Sequence, residues 1–306
     1  MNEQPIVSIC SITYNHAPYI RQCLDGMLMQ QTNFAFEIII NDDCSTDGTT
    51  EIIREYAEKY PDIIKPIFHR ENQYQKGVRG MFAKYVFPKA QGKYIALCEG
   101  DDYWTDPLKL QKQVDFLETY PDYSLYFHNA MVHFEDGKTS DHPFGEIEDR
   151  DYTDVEIYEK WTIPTASVVL RKDVIESDLY TKVSHEKRFV YGDIVLSLTA
   201  SKCGKIHGSP EIMSIYRKHS GGVVFQETLS HKSFKHDIAL GELFGKEIQK
   251  ATKIILSKKY FVYFFQQFKK SNYTTAIWAA YKSISISPKV FCQLINRLYI
   301  YRLWKH

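Results

Sequence analysis

The sequence predicts an α/β protein, a mainly parallel sheet wound with helices, carrying a C-terminal helical extension. Three observations lead there. Through residues 1–130, short β-branched runs alternate with longer helical patterns, the order that builds parallel sheets through helical crossovers. Several runs are apolar at successive positions, as strands covered on both faces are. From residue 231 onward the pattern is helical to the end.

In order, PIVSICSI (5–12), FEIIIN (36–41), IKPIFH (64–69) and KYIALC (93–98) read as strands, with helices over 17–30, 47–60 and 77–88 between them. Asp106-Pro107 is a cap followed by a first-turn proline, which predicts a helix over 108–119. YSLYFHNAMVHF (123–134) returns to strand character, while 136–154 is polar, acidic and aperiodic, and reads as a long mobile loop. TASVVL (165–170) reads as a strand and 190–204 as a helix closed by Gly204. The C-terminal helical pattern breaks at Ser271-Asn272 and Ser287-Pro288. At 306 residues the chain is long for one domain, so a main domain over 1–230 with an appended region over 231–306 is expected.

Composition narrows the class. Hydrophobic residues make up 44% and charged residues 25%, ordinary for a soluble globular protein. Cys10, Cys23, Cys44, Cys98, Cys203 and Cys292 show no metal-ligand spacing, the usage of a reduced, cytoplasmic chain. The start, MNEQPIVSIC, lacks a basic flank and an apolar core, and no stretch reaches the roughly 18 apolar residues of a membrane span. The expectation is a protein neither exported by a signal peptide nor membrane-spanning. Absence of GxGxxG and of a Walker A loop argues against dinucleotide oxidoreductases and P-loop kinases.

The zero net charge hides an asymmetry. Of 38 Lys and Arg, 11 lie in residues 248–306, where there is no Asp or Glu; the remaining 27 face 38 acids in residues 1–247. The acidic body argues against nucleic acid as a partner. Clustered aromatics and cations in 255–270 and 290–306 fit helices lying on an anionic membrane surface, through residues 250–306, on the inner face of the cytoplasmic membrane. They fit equally a helical bundle with solvated basic residues. Self-association is left open.

Each early strand ends in polar residues: Thr13-Tyr14-Asn15-His16, Asn41-Asp42-Asp43, His69-Arg70-Glu71-Asn72 and Glu99-Gly100-Asp101-Asp102. In a parallel sheet these clusters converge on the edge where ligands bind. Gathered acids there can hold a hard cation bridging a diphosphate, or simply cap the next helix. Asp42 and Asp43 can accept hydrogen bonds from a base or a ribose, while Ser45, Thr46 or Asp47 begins the following helix.

Taken in order, ITYNHAPYI, EIIINDDCSTDGT, ENQYQKG and QGKYIALCEGDDYWTDPLKLQKQ resemble the family 2 glycosyltransferases, with their GT-A nucleotide-diphospho-sugar fold, over about residues 5–225. The resemblance implies a mixed, mainly parallel sheet with a nucleotide-binding half over about 1–120 and an acceptor-side half over about 121–230. It implies that Thr13, Tyr14, Asn15, Asp42, Asp43, Asn72, Glu99 and Asp101 contact the nucleotide sugar, with Asp43 toward the base. Mn²⁺ or Mg²⁺ would be held by Asp102 and Asp101, with His219 from IYRKHSGGV (215–223), a loop similar to one that closes over the diphosphate. Glu99 stands where the signature's aspartate usually leads, so the division of labour among the three acids stays open. Arg217 or Lys218 would face phosphate, as would Lys76, Arg79 and Lys84 unless these are solvated surface charges.

In Tyr191-Gly192-Asp193-Ile194, Asp193 falls where inverting members keep the catalytic base, or else it only caps its helix. The implied activity is inverting, metal-dependent transfer of a hexosyl or hexosaminyl group from a nucleotide diphosphate, UDP by preference, to a glycan or lipid-linked acceptor. The implied setting is bacterial surface-polysaccharide synthesis. Two alternatives stand beside it. A nucleotidyltransferase should carry a Gly-rich basic loop after the first strand, and ITYNHAPY has no glycine. An inactive nucleotide-sugar-binding scaffold would more simply have lost Asp102 or Asp193.

Overall fold

The structure, a computed structural model, describes residues 4–221 and 231–303. It divides into two compact units, one of residues 1–187 with 192–225 and one of residues 188–191 with 226–306.

In the first unit, β1 (Val7–Thr13), α1 (Ile20–Leu28), β2 (Phe36–Asp42), α2 (Thr49–Lys59), β3 (Ile64–Phe68) and β4 (Tyr94–Leu97) follow one another. Next come β5 (Tyr103–Trp104), α3 (Lys109–Thr119), β6 (Tyr123–Phe134), β7 (His142–Pro143) and β8 (Arg150–Asp151). The unit continues with α4 (Asp154–Lys160), β9 (Val169–Arg171), α5 (Lys172–Glu176), α6 (Asp178–Ser184), α7 (Gly192–Cys203) and β10 (Lys205–Lys218). One sheet runs in the order β3-β2-β1-β4-β9-β6-β10-β5, with β7 added on β6 and β8 on β10. Strands β3, β2, β1 and β4 are parallel, β9 is antiparallel to β4 and β6, β10 is parallel to β6, and β5 is antiparallel to β10. This is the mixed, mainly parallel sheet wound with helices that the sequence predicts.

The core follows from those apolar runs. Val7, Ile9, Ile38, Ile40, Tyr94 and Ala96 are buried under Ile20, Leu24 and Met27 of α1 and Leu110, Val114 and Leu117 of α3. Burial of each such side chain contributes about 1.5–3 kcal/mol. Trp104 locks β5 in place, its indole N–H donating to the Ala166 carbonyl at 2.8 Å, and Lys109 lies over its ring at 4.1 Å with Nζ donating to Gln113.

Three segments differ from expectation. Residues 77–88 form no regular helix. Gly77 and Gly80 sit at φ 87° and 69°, and Pro88 has no N–H to give, so a π-helical turn at Phe82–Val86 runs into a 3-10 turn at Phe87–Lys89. The loop 136–154 is pinned, with Ile147 and Tyr152 buried and β7 and β8 paired. Residues 165–167 form a 3-10 turn, which leaves only Val169–Arg171 as strand.

The second unit holds α8 (His231–Leu243), α9 (Lys246–Lys269), α10 (Tyr273–Ile286) and α11 (Pro288–Leu303). Asn272 caps α10, its side chain accepting from the Thr275 N–H, and Pro288 starts α11 where its missing N–H costs nothing. Its core is Phe234, Leu256, Tyr260 and Ala279, with Phe234 stacked on Tyr260 at 4.3 Å. Helix α10 turns its small residues inward: Ala276, Ala279 and Ser283 are buried, and Ser283 and Ser257 exchange hydrogen bonds between hydroxyl and carbonyl at 2.8 and 3.0 Å. Tyr273, Ile277, Tyr281 and Ile284 face outward, Ile277 at 69% and Tyr281 at 65% exposure. Among the described residues no helix is long and apolar enough to cross a membrane.

Candidate donor and cation site

The parallel register places the strand ends side by side. Thr13 pairs with Asp42 and Asp42 with Phe68, while Asp43 N–H donates to the Thr13 carbonyl at 3.0 Å and Gly100 N–H to that of Ile12 at 3.0 Å. Four loops separated by up to about 90 residues of sequence therefore share one edge.

Much of the acid at the β2 end supports the loops themselves. Both Asp42 oxygens are taken, one by the N–H and hydroxyl of Ser45 and the other by the Thr50 hydroxyl. Asp43 accepts from the N–H groups of Gln73 and Tyr74 at 2.7 and 2.9 Å, and Asn72 donates to its carbonyl at 3.1 Å, which shapes the 72–74 loop. Asn15, in the left-handed region at φ 55°, donates its N–H to Ser45 at 2.9 Å and accepts from Thr46 N–H at 2.8 Å. Tyr14 lies beside the same loop, its hydroxyl 3.4 Å from the Gln75 amide. Lys76 pairs with Glu71, and Arg79 stacks on Tyr74 at 4.0 Å.

The β4 end is different. Gly100 lies so close to β1 that a side-chain carbon there would stand 2.5 Å from Thr13 Oγ1 and 3.1 Å from His16 Nδ1. That fit brings Asp101 against two imidazoles: its Oδ2 is 3.0 Å from His219 Nε2 and 3.7 Å from His16 Nε2. Burial alone would raise Asp101, but the His219 hydrogen bond and neighbouring His16 outweigh it and hold the carboxyl below its usual range. Burial, then the charge of Asp101, pushes Asp102 well above the carboxylate range and Glu99 up to about 8. The same burial thus acts differently on the three acids, because only Asp101 has the imidazoles of His219 and His16 beside it.

Asp102 stands apart from the imidazoles. It is 2% exposed and accepts the Arg217 N–H at 2.9 Å. Arg217 itself is committed: its guanidinium holds the Asp101 carbonyl at 2.7 Å, Gln22 at 2.7 Å and Glu135, and lies over the rings of Tyr19 and Tyr103. Lys218 Nζ donates to the Tyr216 hydroxyl at 3.0 Å. Gly222 and Val223, the end of the predicted loop, lie outside the described residues. His16 was not singled out by the sequence; its signal was its place among the polar residues at the end of β1.

Among the described residues His16, Asp101 and His219 form a group with donor atoms within 4.8 Å of one another. One carboxylate oxygen and two imidazole nitrogens make a donor set that fits a divalent first-row cation.

Asp193 opens α7, partly exposed in a recess beside Ile157, Thr162 and Ile163. Burial raises its carboxyl to about 6, against hydrogen bonds from backbone N–H groups and the Trp161 side chain that favour the ionised form. Asp193 also contributes to the rise of Glu99, which ties the start of α7 electrostatically to the acids after β4.

Comparisons with known proteins fit this geometry. The sequence model of the family described as Glycosyl transferase family 2 matches residues 8–178. An uncharacterised protein of Mycobacterium tuberculosis is 42% identical over 218 residues, covering 71% of this chain and 60% of its own length. The chain therefore spans about 60% of that relative. The Escherichia coli enzyme named UDP-Glc:alpha-D-GlcNAc-diphosphoundecaprenol beta-1,3-glucosyltransferase WfaP is 28% identical, covering 71% of this chain and 79% of its own. S. aureus TarS residues 1–349, solved with UDP-GlcNAc, superposes with a TM-score of 0.66 at 17% identity, over 93% of this chain and 82% of that one. That likeness is one of fold. By its sequence and its fold, this chain belongs to glycosyl transferase family 2.

Proposed function

We propose that the chain is an inverting, metal-dependent glycosyltransferase that moves a hexosyl or hexosaminyl group from a nucleotide diphosphate, UDP by preference, to a hydroxyl of a glycan or lipid-linked acceptor. The observation that carries the proposal is the cluster of Asp101 with His219 and His16 at the joined strand ends, with Asp193 at the start of α7 in a recess beside Trp161. The first group would hold a cation for a diphosphate, and Asp193 can take a proton. WfaP, by its name, uses UDP-Glc and a diphosphoundecaprenol acceptor, and TarS binds UDP-GlcNAc; both support the donor class and a setting in surface-polysaccharide synthesis.

In this reading the acceptor oxygen attacks the anomeric carbon, the bond from that carbon to the diphosphate oxygen breaks, and the acceptor's proton passes to an Asp193 carboxylate oxygen. The Trp161 hydrogen bond orients that carboxylate. Asp101 and His219 would hold a divalent cation, Mn²⁺ or Mg²⁺, which would supply charge stabilisation to the departing diphosphate. Thr13, Tyr14, Asn15, Asp43 and Asn72 line the base and ribose side. Glu99, protonated near neutral pH, is suited to donate to a sugar or ribose hydroxyl. Asp42 acts as a support, since both its oxygens serve the loop after β2, and Asp102 braces β10 through the one oxygen that accepts the Arg217 N–H.

The second unit supports docking on an anionic membrane at the cytoplasmic face. Residues 248–306 carry only positive ionised side chains, and α10 presents an exposed aromatic and aliphatic face.

The test is incubation with a panel of nucleotide sugars, with Mn²⁺, Mg²⁺ or chelator, reading nucleoside diphosphate release and the anomeric configuration of the product. Metal-dependent release from a UDP-sugar with inverted product is expected. Full turnover in chelator, or retained configuration, overturns the reading.

A further inference from the structure

The two imidazoles at the cation cluster come from different places. His219 follows β10, whereas His16 lies in the loop after β1, 85 positions before Asp101 in the chain. His219 makes an ordinary hydrogen bond to Asp101 at 3.0 Å, but His16 Nε2, at 3.7 Å from the same oxygen, is outside hydrogen-bond reach. Among the described residues that nitrogen makes no hydrogen bond, although its ring is held by Thr13 Oγ1 at 3.1 Å from Nδ1. With the proton on Nδ1 and donated to the Thr13 hydroxyl, the ring turns an unprotonated Nε2 toward Asp101.

The placement is also backed on every side. His16 N–H donates to Thr49 Oγ1 at 2.8 Å, which fixes the loop that carries the ring. The His16 and His219 rings stand edge to face at 5.8 Å, and Tyr19 packs on His219 at 4.7 Å. The three donor atoms lie within 4.8 Å of one another, and the side chains there are 16% exposed at His16 and Asp101 and 8% at His219. An ion entering that space would meet one oxygen and two nitrogens.

We infer that His16 is a third protein ligand of the cation, and that the site favours first-row ions over Mg²⁺, Co²⁺ most strongly and Mn²⁺ less so. The inference rests on the glycosyltransferase reading and sharpens it. Mg²⁺ holds its waters tightly and favours an all-oxygen shell, whereas imidazole nitrogen binds later first-row ions more strongly. A site of one carboxylate alone would not discriminate in this way; two imidazoles beside it do.

The experiment titrates the full chain with Mn²⁺, Co²⁺ and Mg²⁺ alone by calorimetry, and records the visible absorption of the Co²⁺ form. Mn²⁺ is expected to bind at least about tenfold more tightly than Mg²⁺. His16→Gln should lower Mn²⁺ affinity by about tenfold or more, change the Co²⁺ spectrum and leave Mg²⁺ affinity nearly as it was. Thermal unfolding in metal-free buffer checks that the variant folds. Thr13→Val, which removes only the hydroxyl that orients the ring, should shift Mn²⁺ affinity the same way by a smaller factor. Equal Mn²⁺ and Mg²⁺ affinities, or unchanged Mn²⁺ binding in both variants, overturn the inference. Sugar transfer is measured separately. Transfer with His16-independent binding sinks this inference alone, and His16-dependent binding without transfer from any nucleotide sugar sinks the activity alone.

Discussion

Replacing Asp193 with asparagine separates chemistry from stability, because the two effects have opposite signs. In the folded chain burial raises this carboxyl from 3.8 to about 6. A raised carboxylate makes no difference to stability below the unfolded value, costs progressively more as pH climbs to the folded value, and levels off above it. At about 1.4 kcal/mol per unit, the full shift bounds the cost of ionising Asp193 near about 3 kcal/mol, which water at this partly exposed group reduces to about 1–2 kcal/mol. Asparagine keeps the size and the acceptor oxygen for Trp161 but carries no charge. Asp193→Asn should therefore be more stable than the parent by about 1–2 kcal/mol at pH 8 and equal to it near pH 4, read by thermal unfolding. Transfer should fall by about 10²–10⁴, read as nucleoside diphosphate release, since the general base is gone. The parent's rate should rise with pH through about 6 as Asp193 loses its proton. A variant less stable than the parent at pH 8, or one that transfers sugar undiminished, refutes the assignment.

Two further perturbations probe other parts. Gly100→Ala puts a carbon 2.5 Å from Thr13 Oγ1, an overpacking that should cost about 1–3 kcal/mol. Thermal unfolding should drop by several degrees and Mn²⁺ affinity should weaken as His16 is displaced; unchanged values in both would show that the close approach has no bearing on the site. Serine at Tyr273, Ile277 and Tyr281 together leaves the packed face of α10 intact. The triple variant should lose most of the parent's co-sedimentation with phosphatidylglycerol vesicles, binding that also falls with salt. Equal binding of the parent to phosphatidylcholine, or unchanged binding of the variant, would remove the membrane proposal.

The sheet's parallel half was readable because its strands are buried on both faces, so Ile38–Ile40 and Tyr94–Leu97 show as unbroken apolar runs and Val7–Cys10 as one interrupted only by the buried Ser8. The helix breaks at Asn272 and Pro288 were readable for a local reason, a capping amide and a residue without an N–H. Residues 172–184 gave no signal: α5 and α6 are short, and each buries a single residue, Val174 and Val183. The Phe244-Gly245 break between helices α8 and α9 was equally silent in composition, and rests on Gly245 at φ 95°. In the site, residue types foretold which acids gather but not which of them are already spent. Asp42 and Asp43 look alike in sequence, and only the fold discloses that Ser45 and Thr50 take both Asp42 oxygens, while each Asp43 oxygen accepts a single backbone N–H, from Gln73 or Tyr74. His16 was hidden by distance along the chain, since nothing local to TYNHAP points toward residues 101 and 219.

The tie between the turn after β4 and the end of β10 has a temporal side. Asp102 meets the Arg217 N–H and Asp101 meets His219, contacts 115 and 118 residues apart in the chain. During synthesis the first four strands can pair while β10 is still being made, yet the cation cluster gains its second imidazole only once residue 219 has emerged and β10 has docked beside β6. Closing so long a loop is among the slower steps available to such a fold. An ion or donor that binds the finished cluster then stabilises chains in which β10 has docked and none that stop short of residue 219. Occupancy of the site thus reports that the sheet has been completed.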